Sequence, residues 1–322
     1  MNESWIEVEV SAKELEADGV VRLELVDREG GELPGFTAGA HIDVEVAPDL
    51  IRQYSLCNSP RERHRYVIGV LREPSSRGGS QAVHDSIQAG HTIRIRAPRN
   101  HFALDPTASR YILFAGGIGV TPILAMAEHL SDSGKPFELH YCVRTAARAA
   151  FVRRMTKSSF SAHVHLHFDD GLPEQRLEIR QALGSSDDDA HVYVCGPAPF
   201  IGYVLENARE RGWPEARLHR EFFAASTSTA ASAEESFEVQ LSSTGQILTV
   251  PADRSIVEVL GEAGVALEVS CEQGVCGTCL TRVLQGEPDH RDVYLTDAEH
   301  LRNDCMTVCC SRSKSARLVL DL

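Results

Sequence analysis

Residues 270–279 read SCEQGVCGTC, so three of the chain's nine cysteines fall within nine positions, and Cys305, Cys309 and Cys310 follow later. Three close thiols and a distant one have to be brought to a single point by whatever fold the chain adopts. Such a set can hold zinc, hold an iron–sulfur cluster, or make and break disulfides. The start, MNESWIEVEV, has no basic stretch and no apolar run of signal length. Nowhere does the chain approach the roughly 18 consecutive apolar residues that a membrane helix needs. A cytoplasmic protein without membrane contact is expected, and in that compartment clustered cysteines point to metal or redox chemistry.

Spacing narrows the choice. Cys271, Cys276 and Cys279 stand as C-x4-C-x2-C. Structural zinc sites usually take two separated C-x2-C pairs, because each short pair supplies two corners of a tetrahedron. One triplet plus a remote thiol matches instead the plant-type [2Fe–2S] pattern, in which two ligands hold each iron. Gly274 and Gly277 suit a loop whose backbone must approach the sulfurs closely. As fourth ligand, Cys305, Cys309 and Cys310 would leave gaps of 25, 29 and 30 residues. Spacing favours Cys309 and leaves Cys310 open.

With 322 residues, 43% of them hydrophobic and 24% charged, the chain can build two or three domains with real cores. Residues 1–104 alternate apolar and polar with period two in WIEVEV, VVRLELV, HIDVEV, RYVIGV and HTIRIRA, which predicts a small antiparallel β-barrel. From residue 105 the texture changes. RYILFA is a buried-strand run that leads through GGIGVTP into an amphipathic stretch, and FELHYCV, HVHLHF and HVYVCG alternate with helical segments. Residues 105–224 therefore read as an α/β domain with a mostly parallel sheet. ASTSTAASAEES, residues 225–236, lacks apolar bulk and reads as a linker. Residues 237–322 open with two strands and the short helix SIVEVLGEAG, followed by the cysteine loop.

Two further stretches carry chemistry. Arg52-Gln53-Tyr54-Ser55 follows a barrel strand; an Arg there can grip a phosphate while a Tyr two residues on lies against an aromatic ring, a flavin signal. Arg77-Gly78-Gly79-Ser80 adds a glycine loop before a short helix, whose amides and serine hydroxyl can seat the phosphate. Gly116-Gly117-Ile118-Gly119-Val120-Thr121-Pro122 lies between a strand and a helix, with Pro122 expected as first helical residue and Thr121 as N-cap, offering amides to a pyrophosphate. Cys195-Gly196-Pro197 ends another strand, where the crevice of an open α/β sheet lies. Taken alone, Arg52 could be a surface residue, Tyr54 core and Cys195 a small buried apolar group.

In that order the motifs resemble the phthalate dioxygenase reductase family, also called vanillate O-demethylase reductase-like proteins, over essentially the whole chain. RQYSLCN is similar to the family's flavin strand, GGIGVTPI and CGP to its nicotinamide motifs, CEQGVCGTC to its cluster loop and CSRSKSARLVLDL to its ending. The resemblance implies a flavin barrel, a nicotinamide domain and a β-grasp ferredoxin domain, with Cys309 as the fourth cluster ligand. It implies FMN, with FAD as the alternative. Arg52, Gly78, Gly79 and Ser80 would take its phosphate, Tyr54 and Ser55 would lie along the ring with Gln53 counted among the cofactor-binding residues, and the backbone of Val70-Leu71-Arg72 would face its edge. Glu221-Phe222-Phe223 is similar to the family's E-x-F, placing Phe223 where the nicotinamide enters, although Phe222 is adjacent. Cys195 and Ser55 would position the reacting groups. In Phe168-Asp169-Asp170-Gly171, after the strand HVHLHF, either carboxylate, Asp169 or Asp170, would accept from a free ribose 2′-hydroxyl and repel a 2′-phosphate, favouring NADH over NADPH; the alternative is a solvated acidic turn.

The expected activity is an oxidoreductase that passes electrons from NADH to flavin to [2Fe–2S] and on to a terminal Rieske non-haem iron oxygenase, as a monomer with transient docking. A cytochrome P450 or other monooxygenase as acceptor, and an iron–sulfur redox sensor, are the alternatives. The net charge of −14 argues against nucleic acid, and residues 237–322 hold 13 Asp+Glu against 7 Lys+Arg, a surplus that could steer a basic partner.

Overall fold

The computed structural model describes residues 5–48, 50–74, 78–186, 189–223 and 236–322. Arg77 and all of the expected linker except Ser236 lie outside the described residues. The chain divides into two compact units, Met1–Glu221 and Phe222–Leu322.

Period-two alternation builds the first sheet. Its strands are β1 (Ile6–Ala17), β2 (Val20–Asp27), β3 (His41–Ala47), β4 (Leu50–Ser55), β5 (Arg65–Leu71) and β6 (Thr92–Ile95). They lie in the order β4-β3-β6-β1-β2-β5, with every pair antiparallel. A bridge from Leu56, just after β4, to Ile68 of β5 joins the two ends into a barrel. Inside it Val8, Val10, Leu23, Leu25, Ile42, Val44 and Ile68 are fully buried, the burial that drives closure. Helix α1 (Gly79–Asp85) sends Val83 into this core. Lys13 Nζ donates to the carbonyls of Val83, His84 and Ile87 at 3.0, 2.6 and 2.7 Å, which satisfies the helix C-terminus and fixes where α1 ends.

The second sheet follows from β7 (Arg110–Gly116), α2 (Val120–Asp132), β8 (Phe137–Val143), α3 (Val152–Lys157), β9 (Val164–Phe168), α4 (Ile179–Leu183), β10 (Ala190–Gly196), α5 (Ala198–Glu210) and β11 (Leu218–Phe222). Its order is β11-β10-β7-β8-β9, and β10, β7, β8 and β9 run parallel. The chain moves outward from β7 to β9 and then returns to the other side of β7, so the strand order reverses between β7 and β10. Ligands of open α/β sheets bind at that switch, beyond the carboxyl ends of the strands.

The start of α2 differs from the sequence expectation. A single 3-10 turn, Gly117–Gly119, leads into the helix, whose first residue is Val120. Thr121 is therefore already helical, and its hydroxyl donates to the Ile118 carbonyl at 3.1 Å instead of capping. Pro122 stands third; none of the first turn's amides has an intrahelical acceptor, so a residue without N–H is equally tolerated there.

Barrel and α/β sheet share a core. Val20, Cys57 and Val67 of the barrel wall pack in one cluster with Leu113, Tyr141 and Phe151. The Phe151 amide donates to Glu16 Oε1 at 3.0 Å and the Asp18 amide to the Ala147 carbonyl at 2.8 Å. Residues up to 221 thus form one body, with the flavin-type and nucleotide-type motifs in fixed relation.

The second unit has β12 (Phe237–Leu241), β13 (Ile247–Val250), α6 (Ile256–Glu262), β14 (Leu280–Gln285), β15 (Pro288–Asp289), α7 (Asp297–Arg302), β16 (Cys305–Thr307), β17 (Arg312–Ser313) and β18 (Arg317–Leu320). Its main sheet runs β13-β12-β18-β14-β16, with β12 and β18 parallel and the other pairs antiparallel. Ile256 and Leu260 of α6 bury against Val239, Leu318, Leu320 and Met306. Reciprocal capping boxes, Ser255 with Glu258 and Thr296 with Glu299, fix the starts of α6 and α7. Among the described residues no helix is long and apolar enough to cross a membrane.

Candidate functional site

Strand β4 pairs with β3 so that Val44 faces Arg52 and Ile42 faces Tyr54. Alternation places Arg52 and Tyr54 on one side and Gln53 on the other. Gln53 accordingly gives its amide to Asp43 Oδ1 at 3.0 Å, so its side chain does not join the expected flavin face. Arg52 lies directly over the glycine loop: a Cβ on Gly79 would stand 2.6 Å from Arg52 Cγ and Nε. Gly79 must therefore be glycine for the guanidinium to sit at the start of α1. Ser80 Oγ accepts from the Glu73 amide at 3.0 Å, which folds the loop back on itself. Tyr54 is mostly enclosed, and burial raises its hydroxyl pKa, so it stays neutral. Ser55 is buried at the end of β4.

Along β5 the Val70 carbonyl accepts from His84 Nε2–H at 2.9 Å and the Arg72 amide donates to the Gly19 carbonyl at 2.7 Å. Those two backbone groups are already engaged. The Arg72 guanidinium forms a two-pronged pair with Asp85 at 2.6 and 2.9 Å.

At the strand-order reversal Ala115 of β7 stands opposite Cys195 of β10. Gly119 presses on the end of β10, where a Cβ would lie 2.7 Å from the Gly196 amide nitrogen. Phe200, three residues beyond Pro197, covers Gly116 in the same way, 2.7 Å from a Cβ position. The two glycine motifs are thus packed against each other. The Thr121 methyl reaches 3.0 Å from a Cβ position on Gly69 of β5, so the start of α2 abuts the barrel strand that carries Val70. Asp169, just after β9, lines a cleft of about 410 Å³ with Cys142, Arg176, Leu177, Phe200 and Tyr203. Arg176 escapes sequence reasoning because no motif surrounds it.

One neighbour of Cys195 also went unread. Its Sγ lies 4.0 Å from Glu221 Oε2. Burial pushes the Glu221 carboxyl up to about 8, and burial with the nearby carboxyl holds the Cys195 thiol well above its ordinary value. Near neutral pH both groups therefore keep their protons. The sequence signal is an acid near the end of the strand LHREF, which in the E-x-F pattern serves only as a marker for the aromatics after it. Phe222 is half-buried and Phe223 is 37% exposed.

In the second unit the cysteine thiols converge. Cys271 Sγ lies in hydrogen-bond contact with the thiols of Cys276 and Cys309, and Cys279 with that of Cys309. All four residues are buried. Amides point at the sulfurs: Gln273 N to Cys271 Sγ at 3.3 Å and Thr278 N to Cys276 Sγ at 3.4 Å. Gly274 and Gly277 hold left-handed φ of +69° and +70°, and a Cβ on Gly277 would lie 2.5 Å from Tyr294 Cε2. Four buried thiols within reach of one point, ringed by amides, fit a thiolate-held cluster. Cys310 Sγ is turned to Thr307 Oγ1 at 3.2 Å, although it also touches Cys309, and Cys305 is in β16, half-buried.

Comparison with known proteins agrees with this arrangement. The 2Fe-2S iron–sulfur cluster binding domain family matches residues 239–314, and the oxidoreductase NAD-binding domain family matches residues 113–206. Vanillate O-demethylase oxidoreductase of a Pseudomonas species is 53% identical over 98% of this chain and 100% of its own. Phthalate dioxygenase reductase of Burkholderia cepacia is 40% identical over 99% of this chain and 98% of its own. Among solved structures, phthalate dioxygenase reductase, described as a modular structure for electron transfer from pyridine nucleotides to [2Fe–2S], superimposes with a TM-score of 0.78 at 40% identity over 99% of this chain and 98% of that one. A type IV self-sufficient cytochrome P450 monooxygenase gives a TM-score of 0.85 at 37% identity over 99% of this chain, which spans 41% of that protein. Whole-length identity of this order, with both domain families in place, makes this chain a member of the phthalate dioxygenase reductase family of NAD-binding, [2Fe–2S] oxidoreductases.

Proposed function

We propose that the chain is the NADH-dependent reductase component of a Rieske-type oxygenase or demethylase system. Residues 1–104 would carry FMN, residues 105–224 NADH, residues 237–322 the [2Fe–2S] cluster, and 225–236 would link them. The observation that carries the reading is the convergence of Cys271, Cys276, Cys279 and Cys309 in a chain that also holds a nucleotide crevice at its strand-order reversal. Cytosolic conditions suit nine free thiols.

When bound, these groups supply hydride acceptance from NADH at the flavin and single-electron release through the cluster. The residues bind and orient. Arg52, over Gly79, would hold the flavin phosphate with the α1 amides and Ser80, and Tyr54 and Ser55 would line the ring. The amides after Gly117 and those after Pro197 would take the dinucleotide's pyrophosphate, while Asp169 would accept from the ribose hydroxyl. Contact of Thr121 with Gly69 fixes nucleotide domain against barrel, so orientation is built in before ligands arrive. Cys195 and Glu221, both protonated, would present an uncharged wall to the nicotinamide.

Purified protein should be brown-yellow, contain about one flavin and about two irons per chain, and reduce cytochrome c with NADH. Zinc in place of iron, without visible absorbance, would overturn the reading. A second reading, delivery to a cytochrome P450, rests on the likeness to 41% of the self-sufficient cytochrome P450 monooxygenase. Reconstitution separates them: product formation with a Rieske oxygenase and none with a P450 supports the first.

A further inference from the structure

Beyond the cluster cysteines, the second unit gathers His290, Asp292 and His300, whose ligand atoms all lie within 4.8 Å of one another. We propose that these three side chains form a second metal site, which takes a divalent zinc-type cation next to the cluster loop. His290 Nδ1 stands 3.7 Å from Asp292 Oδ1, and His300 Nε2 stands 3.3 Å from each Asp292 oxygen. Ligands of a tetrahedral zinc at about 2.0–2.1 Å are themselves about 3.3 Å apart; the Asp292 separations are close to that, and the two stacked imidazoles have to turn for both nitrogens to meet one cation.

The state of His290 is what points to a ligand. Its side chain is 8% exposed, and Nδ1 is a buried nitrogen with no hydrogen-bond partner. Its other nitrogen, Nε2, faces Asn303 Oδ1 at 3.2 Å; a carbonyl oxygen accepts, so Nε2 carries the proton and Nδ1 presents a lone pair toward Asp292. A histidine whose far N–H is held by a carbonyl while its near nitrogen is bare is the arrangement of a metal-ligating imidazole.

Local structure assembles the set. The Thr296–Glu299 capping box starts α7, which carries His300, and Asn303 ends α7 at φ +54°. Asp292 Oδ2 also accepts from the Leu295 amide at 2.8 Å, which fixes the carboxylate. The imidazoles of His290 and His300 stack at 4.4 Å. His300 is 25% exposed, leaving access for entry and for a water as fourth ligand. Two nitrogens and one oxygen suit zinc better than magnesium or calcium, which prefer oxygen.

The site touches the cluster loop directly. The Val293 amide donates to the Gly274 carbonyl at 3.0 Å, and the Asp292 Cα fills the place a Gly274 Cβ would need, 2.8 Å away. A cation here would tie α7 to that loop.

The test uses cluster-loaded protein, washed with a mild chelator and titrated with Zn²⁺. Bound metal is counted after desalting, and its shell is read by X-ray absorption at the zinc edge. The proposal expects about one zinc per chain with a nitrogen/oxygen shell near 2.0–2.1 Å. His300→Gln and His290→Gln should each weaken binding about tenfold or more. Iron content and NADH-driven cytochrome c reduction of His300→Gln should stay at the parent level, which also shows that the variant is folded. Overturning results are no retained zinc, a sulfur shell near about 2.3 Å that marks metal in the cysteine site, or unchanged affinity in His300→Gln.

Discussion

At the scale of single residues, the chemistry depends on where individual thiols and glycines stand. Cys309 touches both Cys271 and Cys279, whereas Cys310 turns toward Thr307. Cys309→Ser should therefore lose the cluster, with iron and acid-labile sulfide falling to background. Cys310→Val should keep both, because a small apolar side chain fits the place. Gly277→Ala meets two obstacles at once, a left-handed backbone and the Tyr294 ring. It should destabilise the cluster domain by about 2 kcal/mol or more, read as a lower temperature of cluster bleaching. Arg52→Ala should weaken flavin binding roughly 10–100-fold, the size of a lost charge-assisted contact, measured by flavin fluorescence on dilution. Retention of FMN at parent affinity would remove Arg52 from the phosphate seat.

At the scale of elements, strand and helix identities were legible because each carries a strong period, and the glycine motifs were legible because strand ends need small residues for close packing. The start of α2 was not, since a 3-10 turn and an α-helical turn place the same residues within one position of each other. Gln53 was misjudged because motif reading treats four consecutive residues as one surface, while a strand divides them between two. Glu221 was missed because its setting comes from β10 and β11 together; nothing local to LHREF says that Cys195 lies beside it. That pairing makes a pH prediction. The folded-state pKa of Glu221 is raised to about 8, so its contribution is fully present below the ordinary carboxylate range and is lost as pH rises through 8. His140 and His219 are lowered to about 3 and 4 by burial, so their effect has the opposite sign and is complete above pH about 6.5. Between pH about 6.5 and 8, unfolding of the first unit should become easier, by at most about 1.4 kcal/mol per pH unit. In Glu221→Gln that slope should flatten. Thermal melts followed by flavin release across that range check it, and an equal slope in both proteins would refute it.

At the scale of the whole molecule, the chain is two bodies with a division of labour. In the first, barrel and nucleotide domain share one core and meet at Gly69 and Thr121, so the motifs of the two are held in register by packing. The second holds six cysteines, four of them convergent, and an acidic excess. Domain order was readable from sequence because each domain has its own texture; the shared core was not, because Val20, Cys57 and Val67 look like ordinary barrel residues until Phe151 and Tyr141 are placed against them. The central claim is that electrons entering from NADH leave through the cluster. Anaerobic mixing with NADH, followed by flavin absorbance and by electron paramagnetic resonance of the reduced cluster, tests it most directly. Flavin bleaching followed by the reduced-cluster signal is expected, with bleaching alone in Cys309→Ser. NADH oxidation that leaves the cluster of the parent protein oxidised would contradict it.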